Sequence, residues 1–374
     1  MKLGIIGLGV RMTHMLNNTF KAAEPGLRVV GVVDPDEPKA RKSLPPEDRQ
    51  APFFRSLGEL VRRARPDALA IGTRCNLHGV YAVQAAKYGL PLFLEKPIAT
   101  SMRQAIALEK AFDKSHSEVV VSFPLRVSPL LDRVRGLLSE GSVGRVEHLL
   151  GVNFVPYGNV YFDSWYRDYS ITQGLFLQKA THDFDYLSLL AGAPITRVAA
   201  MVSRGRVYRD TATRNGAADD DCAAYFDQIG TPETGMNEDS SSALLEFANG
   251  VSGVYTQVFY SKRDAEARGA TISGYKGTVS FDWYRNEIKR VRHYEPLTDL
   301  ISLGDGANHF GGDGLLGKNF MEVVRGCASS LSPLAAGLQS VYACLAAKES
   351  AERGRFVKVR QLGAPARLWQ NVLA

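Results

Sequence analysis

Cysteine is scarce. Cys75, Cys222, Cys327 and Cys344 are the only four in 374 residues, and no two stand at CxxC or zinc-ligand spacing. That scatter argues against a disulfide framework or a structural metal, and it points to a reducing, cytoplasmic compartment. Long apolar runs are missing as well, none approaching the ~18 residues needed to cross a bilayer. From Lys2 the chain opens on a strand pattern, without the basic, apolar and cleavage segments of a secretory signal in series. Charge of one sign is nowhere concentrated. The 45 basic and 39 acidic residues leave +6, with no block of five like charges, so neither nucleic acid nor membrane is an expected partner. Repeats and low-complexity tracts are also absent. What is present, 45% hydrophobic and 22% charged residues, is the composition of an ordinary globular protein. At about 150 residues per domain, the length suggests two or three domains.

The first third alternates between two grammars. Short apolar runs at 3–7, 27–33, 67–71, 92–94 and 118–121 are separated by helical periodicity at 56–64, 77–88 and 101–114. Uninterrupted apolar strands between helices predict a parallel sheet covered on both faces, a doubly wound α/β domain over residues 1–123. Beyond Pro124 the pattern changes. Helices are expected at 129–138 and 174–190, with a long strand between them at 146–155. Strands at 243–248 and 251–260 flank Asn249-Gly250, a strong hairpin signal. A second turn at 275–277 separates strands at 270–273 and 279–282, and two late helices (317–326, 333–353) precede a strand at 356–360. Residues 124–374 therefore read as an α+β domain with a large, mainly antiparallel sheet. The polar stretch 209–242, with Asp219-Asp220-Asp221, reads as an irregular insertion, either a solvated loop or a substrate lid.

Three sites carry chemistry. Gly7-Leu-Gly9-Val10-Arg11-Met12 lies between the first strand and a helix. In a dinucleotide fingerprint the first glycine makes the tight turn, the second admits the pyrophosphate, and the helix start supplies N–H groups. Met12 occupies the third glycine position, so strand–helix packing must rearrange there. Asp34 ends the second strand, 22 residues beyond Met12, where a carboxylate binds adenine-ribose hydroxyls and repels a 2′-phosphate. NAD is therefore favoured, with NADP as an alternative because Lys39 and Arg41 lie nearby in sequence. Glu95-Lys96-Pro97 follows the strand at 92–94. At the carboxyl edge of an open α/β sheet, Lys96 can donate to a substrate oxygen, although a surface lysine in a loop would look the same. Gln178-Lys179-Ala-Thr-His182-Asp183-Phe-Asp185 lies in the expected 174–190 helix, with Lys179 and His182 on one face. Histidine is the usual proton carrier near neutral pH, or else a hydrogen-bonded residue at a domain seam.

Together these segments resemble the glucose–fructose oxidoreductase / inositol dehydrogenase / rhizopine catabolism (GFO/IDH/MocA) family of NAD(P)-dependent oxidoreductases over nearly the whole chain. Thr73-Arg-Cys-Asn76-Leu-His78 is similar to the family's T-P-x-x-L-H stretch, with Arg74 in place of proline. Glu95-Lys96-Pro97 matches its E-K-P signature, and Ser122-Phe-Pro-Leu-Arg126 its strand segment ending in arginine. Trp165-Tyr-Arg167 resembles the W-x-x-D entry to the catalytic helix, and Gly274-Tyr-Lys-Gly277-Thr the G-T-x-G-T hairpin. One departure matters: where the family usually has an acid four residues before the histidine, this chain has Gln178, which cannot exchange a proton. The K-x-x-H-D-F-D string and His309-Phe-Gly-Gly-Asp313 resemble a branch of the family that often has a cysteine-rich insertion. Only Cys222 stands in the insertion here, so no metal is expected.

The resemblance implies a soluble oxidoreductase transferring a hydride between NAD and a secondary alcohol carbon of a sugar, polyol or derivative. His182 would be the general base, Lys96 the oxyanion donor, and Lys179 a third member that disfavours the imidazolium. Lys96 and His182 would have to converge on one metabolite. Gly7, Gly9, Val10, Arg11, Met12, Asp34, Thr73, Asn76, His78, Glu95 and Lys96 would hold the cofactor. Arg126, Trp165, Arg167, Asp183 and His309 would contact substrate, with Tyr161 and Tyr166 as pocket or core aromatics. The resemblance also implies a homodimer or homotetramer. Two alternatives share the cofactor: an NAD-dependent glycosidase working by transient oxidation and elimination, and a non-catalytic NAD-binding regulator.

Overall fold

The computed structural model describes residues 1–162, 164–208, 237–304 and 308–363. Most of the 209–242 insertion, including Asp219–Asp221 and Cys222, lies outside the described residues. The chain divides into two compact units: Met1–Pro129 with Ala307–Leu338, and Leu130–Gly306 with Gln339–Ala374.

In the first unit, β1 (Lys2–Ile6), β2 (Arg28–Val33), β3 (Ala68–Ile71), β4 (Leu92–Leu94) and β5 (Val119–Val121) form one parallel sheet in the order β2-β1-β3-β4-β5. Every residue of β3, β4 and β5 is buried, as expected of strands covered on both faces. Two intervening helices start where serine offers a cap. Ser56 Oγ accepts the Glu59 N–H at 3.2 Å and Ser101 Oγ the Gln104 N–H at 3.3 Å, satisfying donors the helix leaves open.

Met12 answers its own sequence anomaly. It is 1% exposed, and a Cβ added to Gly72 at the end of β3 would lie 2.7 Å from the Met12 Cβ. The small residue needed for close helix–strand approach has moved from the loop to the facing strand end. Gly72→Ala is therefore expected to destabilise this unit by about 1–3 kcal/mol through overpacking. Urea unfolding checks this, with Met12→Gly, which removes the clashing Cβ, costing less stability in the Gly72→Ala chain than in the wild type.

Residues 307–338, expected in the second domain, cluster with the first unit. The helix Gly312–Val324 buries Leu316, Phe320, Met321 and Val323 in the same core as Leu3, Phe20 and Phe93. The Phe20, Phe93 and Phe320 rings lie 5.0–5.5 Å apart. This apolar face needs a partner, and only tertiary packing reveals which sheet provides it.

The second unit holds β6 (Val146–Phe154), β7 (Ile195–Ser203), β8 (Ser240–Phe247), β9 (Ser252–Val258), β10 (Ala267–Gly274), β11 (Gly277–Asp282), β12 (Glu287–Arg292), β13 (Thr298–Ser302) and β14 (Val357–Lys358). Their order is β13-β12-β11-β10-β6-β9-β8-β7-β14, antiparallel throughout except for the parallel β6–β9 pair. Gly250 turns the β8–β9 hairpin at φ +88°, a conformation that favours glycine. The two sheet faces differ. Ile301, Ile288, Phe281, Ala270, Gly151, Tyr255 and Ala243 form one cross-strand row. Leu187 of the helix Thr181–Ala191 packs on that row: a Cβ at Gly151 would meet it at 2.9 Å. The neighbouring row runs Leu300, Lys289, Ser280, Thr271, Leu150, Val254, Leu244, with Leu300, Leu150 and Leu244 exposed. Among the described residues no helix is long and apolar enough to cross a membrane.

Candidate active site

The glycine loop is built to bring backbone close to a ligand. Gly7 has φ +79°, and a Cβ there would lie 2.7 Å from the Thr73 backbone. At Gly9 a Cβ would meet only the Gly72 carbonyl, at 3.9 Å, and the next residue, Val10, is 87% exposed. Asp34 stands beside the loop: its Oδ2 accepts the Leu8 N–H at 2.8 Å and its Oδ1 the Asp36 N–H at 2.9 Å. The carboxylate that would read a ribose thus also ties down the loop. Asn76 Oδ1, in the Thr73–His78 segment, is a buried acceptor without a hydrogen-bond donor among the described residues. These features fit a dinucleotide.

His78, expected as a cofactor contact, ties two loops together. Its Nδ1 lies 2.9 Å from the Pro97 carbonyl oxygen and its Nε2 3.0 Å from that of Thr73. Burial holds its pKa below the usual histidine range, against the pull of those carbonyls and of Glu95. The Lys96–Pro97 peptide is cis.

Arg11 turns its side chain inward. Its guanidinium donates to both Asp313 oxygens at 2.7 and 2.6 Å, and its Nε to Glu95 Oε1 at 3.2 Å. Asp313 Oδ2 also lies 2.9 Å from His309 Nδ1. Burial alone would raise the Asp313 pKa, but the Arg11 and His309 bonds outweigh it and hold the carboxyl well below its usual range. His309, Phe310 and Gly311 all have positive φ, at 47°, 56° and 82°. Two of these are non-glycine residues, a strained run that clusters at functional sites. Asp313 was legible as the end of the HFGGD string but carried no assigned role; its partnership with Arg11 spans 302 positions. Arg126 is 7% exposed and donates through Nε to the Leu331 carbonyl at 2.9 Å.

In the second unit the expected helix is two segments, a π-helix at Phe176–Ala180 followed by the α-helix Thr181–Ala191. Such a π turn re-phases the side chains that follow, and is frequent at functional sites. Gln178, in the position of the family acid, donates to the Thr172 carbonyl at 2.9 Å and is spent on backbone. Lys179 and His182 are 4% and 6% exposed. Lys179 Nζ donates to the Tyr157 hydroxyl at 2.8 Å and lies 5.6 Å from the centre of the Tyr161 ring. Asp183, expected to touch substrate, is wholly buried and faces protein donors. Its Oδ1 accepts from Arg268 Nε and Nη2 at 3.1 and 2.9 Å, and its Oδ2 from Tyr255 and Asn153 at 2.7 and 2.9 Å. Trp165 stacks on Tyr166 at 3.9 Å, and Arg167 is exposed. Tyr157, on the loop after β6, escaped the sequence reading because nothing local marks it. Among the described residues no group of three or more His, Cys, Asp or Glu side chains could hold a metal ion.

A parallel sheet ending in a glycine loop with an acid after its second strand defines a dinucleotide-binding protein. Residues 1–123 match the model of an oxidoreductase family with an NAD-binding Rossmann fold, and residues 131–280 match the C-terminal domain of the same family. The chain belongs to the GFO/IDH/MocA oxidoreductases, and residues 1–123 are its NAD-binding Rossmann domain. It is 26% identical over 203 residues to an inositol 2-dehydrogenase of Corynebacterium glutamicum, covering 53% of this chain and 56% of that one. It is 23% identical over 298 residues to the scyllo-inositol 2-dehydrogenase (NAD(+)) of Bacillus subtilis, covering 76% and 75%. The chain spans about half the length of several curated relatives it matches, 40% to 60%. Among solved structures, levoglucosan dehydrogenase in complex with NADH and levoglucosan has the same fold, with a TM-score of 0.79 at 18% identity over 97% of this chain and 100% of that one. So has the WlbA dehydrogenase of Bordetella pertussis in complex with NADH and UDP-GlcNAcA, with a TM-score of 0.75 at 22% identity over 97% and 98%.

Proposed function

We infer that this protein transfers a hydride between NAD and a secondary alcohol carbon of a sugar, polyol or sugar derivative. The observation that carries this reading is the burial of Lys179 and His182 in consecutive π- and α-helical segments whose other side chains are packed into the unit. Burying such groups is costly, and chains that do so are usually keeping them for chemistry. When bound, NAD supplies or accepts the hydride; the protein contributes placement and electrostatics. Gly7, Gly9, Asp34 and Asn76 hold the dinucleotide. Lys96 donates to the reacting oxygen and stabilises its partial alkoxide charge. The hydroxyl proton leaves to an acid/base group of the second unit, and His182 is the group to which the sequence points. The NAD and carbohydrate ligands named for the similar dehydrogenases support the same substrate class.

The test is a panel of sugars, inositols and sugar acids with NAD and NADP, followed at the absorbance of the reduced nicotinamide. Tight NAD binding with no reduction by any member would overturn the reading in favour of a regulator. Asp34→Ala is expected to weaken NAD about tenfold or more, the scale of a hydrogen bond to a charged group, and to relax discrimination against NADP. Titration of both nucleotides onto the variant measures this; unchanged affinity and preference would remove Asp34 from the ribose. A cytoplasmic location and a homo-oligomer formed through the exposed Leu300–Leu150–Leu244 face belong to the same proposal, the oligomer being measurable by sedimentation.

A further inference from the structure

We propose that Tyr157 is the residue that exchanges the substrate's hydroxyl proton, its phenol oxygen held by the Lys179 ammonium. The proposal rests on the hydride-transfer reading. In the oxidising direction the alcohol C–H bond breaks and its electron pair leaves as hydride to NAD. The O–H bond breaks, its electrons form the carbonyl, and the proton bonds to the Tyr157 phenolate oxygen. The alcohol is oxidised, NAD is reduced, and tyrosine ends neutral; reduction runs the same steps backwards.

Three observations place this role on Tyr157. The first is its setting. Lys179 Nζ stands 2.8 Å from the hydroxyl, and Arg268 adds positive charge from β10. Asp183 is the buried carboxylate of this cluster, and it is already bound to Arg268 at 2.9 Å, which leaves the phenolate as the natural counter-ion of Lys179. The second is access. Tyr157 is 47% exposed whereas Lys179 is 4% exposed, so the tyrosine lies between the solvent and the ammonium. The third is rigidity. A Cβ on Gly158, the next residue, would lie 1.6 Å from the Phe259 carbonyl oxygen, so the loop is pressed flat against the end of β9. Tyr161 and Tyr166 flank the same loop, and burial raises the Tyr161 phenol well above its usual range, leaving it protonated.

The electrostatics agree with the geometry. Lys179 charge is the largest influence on Tyr157 and, against desolvation, brings its pKa down to about 7, while burial lowers Lys179 itself from the usual lysine range. A proton carrier works best when its pKa lies near the working pH. Charge balance also favours it over His182: a phenolate that accepts a proton becomes neutral. An imidazole doing so becomes a second cation three residues from Lys179. His182 is then a positioning residue that hydrogen-bonds the same hydroxyl.

The experiment has one arm without substrate and one with it. The near-ultraviolet difference spectrum of the unliganded protein against Tyr157→Phe should show one tyrosinate forming near pH 7. Lys179→Met should move that transition toward the ordinary tyrosine value of about 10, because the cation stabilising the phenolate is gone. With NAD and an active carbohydrate from the panel, Tyr157→Phe should lower kcat by about 100-fold while KM and NADH affinity stay within about threefold, and the rise of rate with pH should disappear. His182→Gln should slow turnover but keep that rise. A Tyr157→Phe enzyme with near-normal kcat and an unchanged pH profile, or a difference spectrum without a neutral-pH transition, would overturn the proposal. A wild-type protein that shows the tyrosinate yet oxidises no panel member would overturn the functional reading instead.

Discussion

Alanine at Lys96 is expected to lower kcat/KM by about 100-fold or more, while NADH binds nearly as well as before. A loss of that size is about 2.7 kcal/mol of transition-state stabilisation, the scale of one donor removed from a developing oxyanion. The local structure explains why binding should survive. Glu95, on one side of Lys96, is held by Arg11 at 3.2 Å, and Pro97, on the other, presents its carbonyl to His78 at 2.9 Å. The loop is anchored at both ends without the lysine side chain, so truncation removes a charge and leaves the backbone in place. His182→Ala should cost a comparable factor. Steady-state kinetics on the best panel substrate, with NADH affinity measured by fluorescence, separate the two effects. Unchanged turnover in both variants would remove these residues from the chemistry.

Asp183→Ala should give the largest loss of stability, about 3–5 kcal/mol, the range for breaking a buried ion pair from one side. Arg268 is 4% exposed and keeps its charge, held even more firmly protonated than an ordinary arginine because the attraction of Asp183 and the nearby phenols outweighs burial. The substitution therefore strands a cation inside the unit, and Tyr255 and Asn153 lose their acceptor as well. Urea unfolding followed by tryptophan fluorescence reports on this region directly, since Trp283 is fully buried and packs 4.8 Å from Tyr186. An uncharged pair, Asp183→Leu with Arg268→Met, should recover much of the loss. A single Asp183→Ala variant as stable as the wild type would show that Arg268 finds another partner.

Asp183 also marks where sequence reasoning reached its limit. The helix was visible in the spacing of its residues, and His182 in its motif. Whether the neighbouring carboxylate faces a substrate or the core depends on Arg268, 85 positions away. Tyr157 is the converse case, one tyrosine among 15, singled out because its loop folds against the lysine of a distant helix.

The features that the sequence alone determined are local in origin. Continuous apolar strands require a covered parallel sheet, a glycine pair between strand and helix permits close approach to a phosphate, and Asn-Gly closes a hairpin, each through the conformations those residues allow. The tertiary structure decided which surfaces meet. It returned Gly312–Val324 to the first unit, paired Met12 with Gly72, and set Lys179 against Tyr157. Those choices follow from the fit and desolvation of groups far apart in the chain, energies that no window of neighbouring residues contains.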